Sequence, residues 1–86
     1  MYKLQICNVQ THEVLREKTF KKPDLISSLI ELGLKGKECF LFDEECRTYK
    51  GKYVNHYSFI EGDTITYKVF FELRLSEIQA RVARYV

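Results

Sequence analysis

The side chains able to do covalent or acid–base chemistry are few: three cysteines, Cys7, Cys39 and Cys46, and two histidines, His12 and His56. A thiol activated by an imidazole makes a nucleophile, but that chemistry also needs a group to orient the base and donors for the developing oxyanion. No motif in the chain draws these residues together. Cys39, Cys46, His12 and His56 are also zinc-ligand types, yet there is no CxxC pair, and the seven positions from Cys39 to Cys46 fall outside the short spacings of zinc sites. An odd cysteine count leaves no complete disulfide framework, so the thiols are expected to be free and to pack as small hydrophobes. The expectation is a protein that is not an enzyme and holds neither metal nor cofactor.

Two charged clusters remain. Asp43-Glu44-Glu45 is expected to be a solvated loop, because three adjacent side chains cannot converge on one cation. No glycine-rich loop is present to cradle a phosphate. The segment "RTYKGKYVNHY" interleaves Arg47, Lys50 and Lys52 with Tyr49, Tyr53 and Tyr57, residue types that neutralise phosphates and stack on bases. Arg47, Tyr49, Lys50, Lys52 and Tyr53 are therefore candidates for binding single-stranded nucleic acid.

Eighty-six residues make one domain, and a chain of this size buries roughly 60–65% of its unfolded surface, enough for a small core. Apolar residues at 45% with charged residues at 30% fit a globular chain rather than a disordered one, and a net charge of +2 is too small to point to nucleic acid by itself. No apolar run reaches the about 18 residues of a membrane span, and "MYKLQICNVQ" lacks a signal-peptide core. A cytoplasmic location without membrane attachment is expected.

The elements that must carry these groups follow from periodicity. Tyr2, Leu4 and Ile6 alternate with Lys3, Gln5 and Cys7 as in a half-buried strand, "QTHE" breaks it, and "VLREKTF" reads as the second arm of a hairpin. Pro23 and Asp24 open a helix over residues 24–33, with Asp24 capping its start, Leu25, Leu29 and Leu32 as one stripe, Ile26 and Ile30 beside it, and Gly33 ending it. "ECFLF" reads as a third strand. Residues 46–58 are polar and turn-like, with Lys50-Gly51-Lys52 as a tight turn. After the Glu61-Gly62-Asp63 turn, Ile65, Tyr67 and Val69 alternate with Thr64, Thr66 and Lys68 as a last, central strand. Leu25 and Leu29 are expected to pack over Ile65, Tyr67 and Val69, while Phe70 and Phe71 begin to turn the chain outward. The sum is an α+β roll of order ββαβ(β)β, a mixed sheet with one packed helix.

That order, with Tyr57, Phe59, Gly62-Asp63-Thr64, Ile65, Tyr67 and Val69 near its end, Leu4 and Ile6 in the first strand, and Asp24 with Leu25 at the helix start, resembles the ubiquitin-like β-grasp superfamily. The resemblance covers residues 1 to about 71 and implies the fold more than the function, since this superfold serves modifiers, sulfur carriers, adaptors and enzyme subunits. It implies that the 47–57 segment crosses the end of the sheet, where tyrosine rings plug the core and their hydroxyls stay wet. The chain departs from conjugated modifiers by ending "RVARYV" rather than in Gly-Gly, and from ubiquitin's apolar patch by placing Thr66 and Lys68 on the surface expected there. Conjugation is not expected, and the partners should differ.

Residues 1–73 are thus read as a β-grasp domain and 74–86 as an amphipathic helical extension. Ser76 starts a Ser-x-x-Gln capping box with Gln79, and Ile78, Val82 and Tyr85 share one face while Arg81 and Arg84 lie on another. A helix this short is marginal alone, so its apolar face is expected to dock, either against the protein's own sheet or, in preference, on a partner that these five residues bind, with a homodimer through this helix as one form of it. The function expected is a small protein–protein interaction module: an adaptor, regulator, inhibitor or small subunit of an assembly, of the kind mobile elements also encode. Single-stranded nucleic-acid binding through 47–57 is the alternative.

Overall fold

The computed structural model describes residues 1–75 as β1 (Tyr2–Asn8), β2 (Val14–Phe20), α1 (Asp24–Leu34), β3 (Cys39–Phe42), β4 (Thr48–Glu61) and β5 (Thr64–Leu75). The expectations for residues 76–86, including Ile78, Arg81, Val82, Arg84 and Tyr85, lie outside the described residues. The strands form one mixed sheet of order β2-β1-β5-β4-β3, in which β1 and β5 run parallel and every other neighbour is antiparallel. One helix on a five-stranded mixed sheet is a small α+β architecture, and β5 is its central strand.

The core forms where the strands' inward positions meet the helix. Leu4, Leu41, Val69 and Phe71 are buried from the sheet side, and Ile26 and Ile30 from the helix side, with Tyr2, Ile6, Leu29, Tyr53, Tyr67 and Leu73 packed around them. The helix is therefore rotated from the stripe expected of Leu25, Leu29 and Leu32. Ile26 is fully buried, whereas Leu25 is 66% exposed and Leu32 is also exposed. Two β-branched residues four apart give a narrow ridge that fits the pleat, and the broader leucine stripe flanks it. On β5 the weight also shifts along the strand: Val69 and Phe71 are buried while Ile65 is half-buried. Phe70 and Phe71 do not turn outward; both are buried on opposite faces, and the strand continues to Leu75.

The helix ends differ from expectation too. The cap position is Pro23 and no side chain caps it; Asp24 is the first helical residue, where its charge suits the positive end of the helix dipole. Gly33 does not stop the helix, which runs to Leu34. Lys37 N–H donates to the Leu32 carbonyl at 3.3 Å and Gly36 N–H to the Gly33 carbonyl at 2.9 Å, a paired C-terminal closure that requires the left-handed Gly36, φ 76°. Gly33 has another role. A β-carbon there would stand 2.6 Å from Tyr53 Cβ, so only glycine lets the helix lie directly on that tyrosine.

Residues 46–58 depart furthest from the expected turn-like segment. The Lys50-Gly51-Lys52 turn is absent, and Thr48–Glu61 is one strand of 14 residues. Gly51 sits mid-strand because a β-carbon at that position would lie 2.5 Å from Leu41 Cδ1. A bulge between Tyr53 and Asn55 shifts the register, so that Tyr53 pairs with Phe71 but Asn55 with Phe70.

Ile26→Ala is expected to remove about 2–5 kcal/mol of stability, and Leu25→Ala less than about 1 kcal/mol, since only the first leaves a cavity. Chemical denaturation of both checks the helix rotation, and equal losses would refute it. Gly33→Ala is expected to destabilise by about 1–3 kcal/mol of crowding, reduced by the ~1 kcal/mol that alanine contributes to helix propensity. A more stable Gly33→Ala protein in the same assay would show that Tyr53 does not hold the helix.

Candidate functional site

The basic-aromatic residues are divided by the strand that carries them. Successive residues of a strand point to opposite faces. Tyr53 faces the helix and stands edge-on to Phe71 at 6.4 Å, and Gly51 shares that face. Lys50 and Lys52 therefore point to the other side, where the Lys50 ammonium lies 5.8 Å from the Phe40 ring centre. Tyr49, aligned with Leu41, points to the helix side. Arg47 and Tyr49 are also engaged elsewhere. The set Arg47, Tyr49, Lys50, Lys52 and Tyr53 is thus not gathered on one surface.

What engages Arg47 and Tyr49 is Asp43. Its carboxylate accepts from Arg47 Nε at 2.7 Å, from the backbone N–H groups of Arg47 at 2.8 Å and Glu45 at 3.0 Å, and from the Tyr49 hydroxyl at 3.4 Å. The acidic run is therefore not a uniformly solvated loop. Asp43 is buried and organises the β3–β4 turn, whose tightness puts Cys46 at φ 64°. Glu44 and Glu45 remain exposed, and Glu45 adds a second contact to Arg47 at 3.4 Å. Burial by itself raises the Asp43 carboxyl, but the donors from Arg47 and Glu45 outweigh it and hold it below its ordinary value.

The thiols and histidines are dispersed. Cys7 is buried on the face away from the helix, and burial pushes its thiol up, against a smaller opposing pull from Lys68. Cys39 is half-buried and raised for the same reason, Cys46 is exposed, and all three are free. His12, at φ 63° in the β1–β2 turn, stands edge-on to Phe70 at 5.8 Å. His56 Nδ1 is 2.5 Å from the Tyr53 hydroxyl. Among the described residues no group of three or more His, Cys, Asp or Glu is placed to hold a metal ion, and no helix is long and apolar enough to cross a membrane.

The face away from the helix carries an aromatic row. Tyr57 stacks on Phe70 at 5.8 Å and 27°, and Phe59 follows at 6.2 Å from Tyr57. Val9, His12, Asn55, Tyr57 and Phe70 line a shallow cleft of about 270 Å³ beside it. Tyr57 is half exposed at 51%, so its ring both packs and faces solvent.

The feature that periodicity could not reveal is a backbone edge. Ile65 N–H donates to the Met1 carbonyl and Val9 N–H to the Phe71 carbonyl, both at 3.0 Å, so the odd-numbered residues of β5 aim their backbone groups at β1. Backbone direction alternates along a strand, so the even-numbered residues of β5 serve β4. Their partners are Glu61, Phe59 and Tyr57, opposite Thr64, Thr66 and Lys68. The intervening His56, Ser58 and Ile60 turn N–H and C=O away from β5. β3 does not meet them, because its ladder with β4 spans only Thr48 to Gly51. All three residues are exposed, Ile60 at 73%. From Tyr53 to Ile60 the sequence YVNHYSFI contains no formally charged residue, proline or glycine.

The opposite edge is built otherwise. β2 presents exposed Arg16, Glu17 and Lys18, with Glu17 taking a 2.7 Å hydrogen bond from Gln5 and a 3.6 Å contact from Lys3. Charge on an outer strand discourages pairing with other chains. Among the described residues the two long edges are therefore chemically distinct, one guarded and one open.

Because the Asp43 carboxyl is held below its ordinary value, its contribution to stability is present above the usual carboxylate range, near pH 4, and is lost as pH falls through the lower folded value. The stability gap between the natural protein and Asp43→Asn is expected to be greatest at neutral pH and to close on acidification. Denaturant melts from pH 7 to pH 2 check this, and a gap that stays constant would show that the carboxylate charge is not what holds the turn. No protein-family model, curated protein or solved structure matches this chain, so a functional reading rests on the geometry of the edge and the faces.

Proposed function

We propose that this protein is a non-enzymatic protein–protein interaction module that works by strand addition at the open half of β4, on a fold of the ubiquitin-like β-grasp type. The β-grasp reading is supported by the first and last described strands lying side by side in parallel, with the single helix between the second and third strands. The function is carried by one observation: His56, Ser58 and Ile60 hold their backbone donors and acceptors outward along an uncharged, aromatic and β-branched stretch. An extended segment laid on such an edge gains main-chain hydrogen bonds, and side chains on both faces set its specificity. The same stretch left uncovered has the composition of an aggregation-prone strand, which makes a binding partner the natural cover. The module acts as an adaptor, regulator, inhibitor or small subunit in this way, without any bond being made or broken.

Single-stranded nucleic acid is the weaker reading, since Arg47 and Tyr49 are held by Asp43 and Tyr53 lies against the helix. The discriminating pair of variants is Ser58→Pro and Lys50→Ser/Lys52→Ser. Proline at position 58 removes an outward N–H while leaving the bonds from β4 to β5 in place. Partner protein recovered by the natural chain is expected to be lost with Ser58→Pro and kept with the double serine variant. Retention by both, together with oligonucleotide binding that falls steeply with salt and disappears in the serine variant, would overturn the proposal.

A further inference from the structure

Resting on that reading, we infer that the partner at this edge is a second copy of the chain, joined antiparallel through β4 about a two-fold axis at Ser58. A two-fold axis between antiparallel strands must stand perpendicular to the sheet, because opposed residues share a face; opposed residue numbers then sum to an even value. The three outward residues are themselves symmetric about the middle one. Placing Ser58 against Ser58 of the other copy sets His56 against Ile60 and Ile60 against His56, so that every outward donor and acceptor of His56, Ser58 and Ile60 meets a counterpart.

The side chains agree with this register. On the face away from the helix it sets Tyr57 opposite Phe59 of the second copy, and Phe59 opposite its Tyr57, extending the row that already runs from Phe70 through Tyr57 to Phe59. Cross-strand aromatic pairs stabilise a sheet. Glu61 falls opposite Asn55, and no two like charges meet. The hairpin tip at Gly62-Asp63 ends opposite Tyr53 and Val54, short of Gly51, where Cys39 of β3 is paired. Moving the axis one residue toward Tyr57 drives that tip into the space beside β3, and moving it farther sets His56 against itself. The β2 edge is less suited about its own middle residue. Centred on Glu17, it would oppose Glu17 to Glu17 and Arg16 to Lys18, like charges directly across a ladder. Charge thus selects which edge pairs, and the outward backbone groups select the register.

The test is a charge swap at the axis in the full chain. Ser58 is exposed, so Ser58→Lys and Ser58→Glu each retain the fold, which circular dichroism and melting verify. The natural chain is expected to sediment with twice its monomer mass. Each variant alone is expected to sediment as a monomer, because two like charges face each other across the axis. An equimolar mixture is expected to recover the doubled mass as a one-to-one heterodimer. Ile60→Ser, a second variant at a highly exposed position, is expected to weaken association without altering the melting of the dissociated monomer at low concentration. A natural chain that stays monomeric at high concentration would overturn the inference, as would a dimer unchanged in both charged variants or an equal mixture that fails to recover it. A monomer whose edge still takes up a different protein refutes the second copy alone and leaves the interaction-module reading standing. Loss of that uptake as well refutes both.

Discussion

A mismatch of lengths governs this molecule. The only described helix has 11 residues and is about 16 Å long, whereas β4 has 14 residues and extends to about 46 Å. One short helix cannot roof so long a hairpin, and β3, with four residues, cannot edge it. The core must concentrate where helix, β3 and the central strand overlap, around Ile26, Ile30, Leu41, Val69 and Phe71, and among the described residues the distal half of β4 is bonded on one side only. The open edge is the geometric remainder of that mismatch.

The overlap is held by close approaches that small residues permit. Gly33 lets the helix descend onto Tyr53, and Gly51 lets Leu41 and Phe71 meet across β4. The bulge follows directly after Tyr53. Regular alternation from Gly51 keeps this tyrosine on the helix side, and the extra residue brings His56 onto the same side, close enough for the contact between the Tyr53 hydroxyl and the imidazole. An inserted residue at the margin of the covered region re-aims the strand before it leaves the core, a frequent use of bulges next to functional surfaces.

Charge is placed to complement this packing. Asp43 gathers Arg47 and Tyr49 into the β3–β4 turn and so removes the strongest cation from the basic-aromatic segment. β2 keeps Arg16, Glu17 and Lys18 on its outer edge, while β4 has no Asp, Glu, Lys or Arg from Tyr53 to Ile60. An uncharged ladder of backbone donors and acceptors can pair with an extended chain, which the charges on the β2 edge discourage.

The sequence by itself determined what depends on local repetition and local turn chemistry. Alternation in Tyr2–Asn8, the polar break before Val14, the Gly62-Asp63 turn and the apolar repeat after Asp24 each act within a few residues, so the first hairpin, the helix and the central strand were legible from residue types. Only the tertiary structure decided the rest. Helical periodicity marked a wide apolar face but not that Ile26 and Ile30, rather than Leu25, would meet the sheet, because the choice depends on the pleat opposite. Polar composition and Gly51 disguised β4 as a turn, since glycine there answers to Leu41 and Phe71, which are distant in sequence. Neither the burial of Asp43 nor the outward backbone of His56, Ser58 and Ile60 has a compositional signal. Both arise from which strands run beside which and where the shorter one stops, a property of register that no single segment contains.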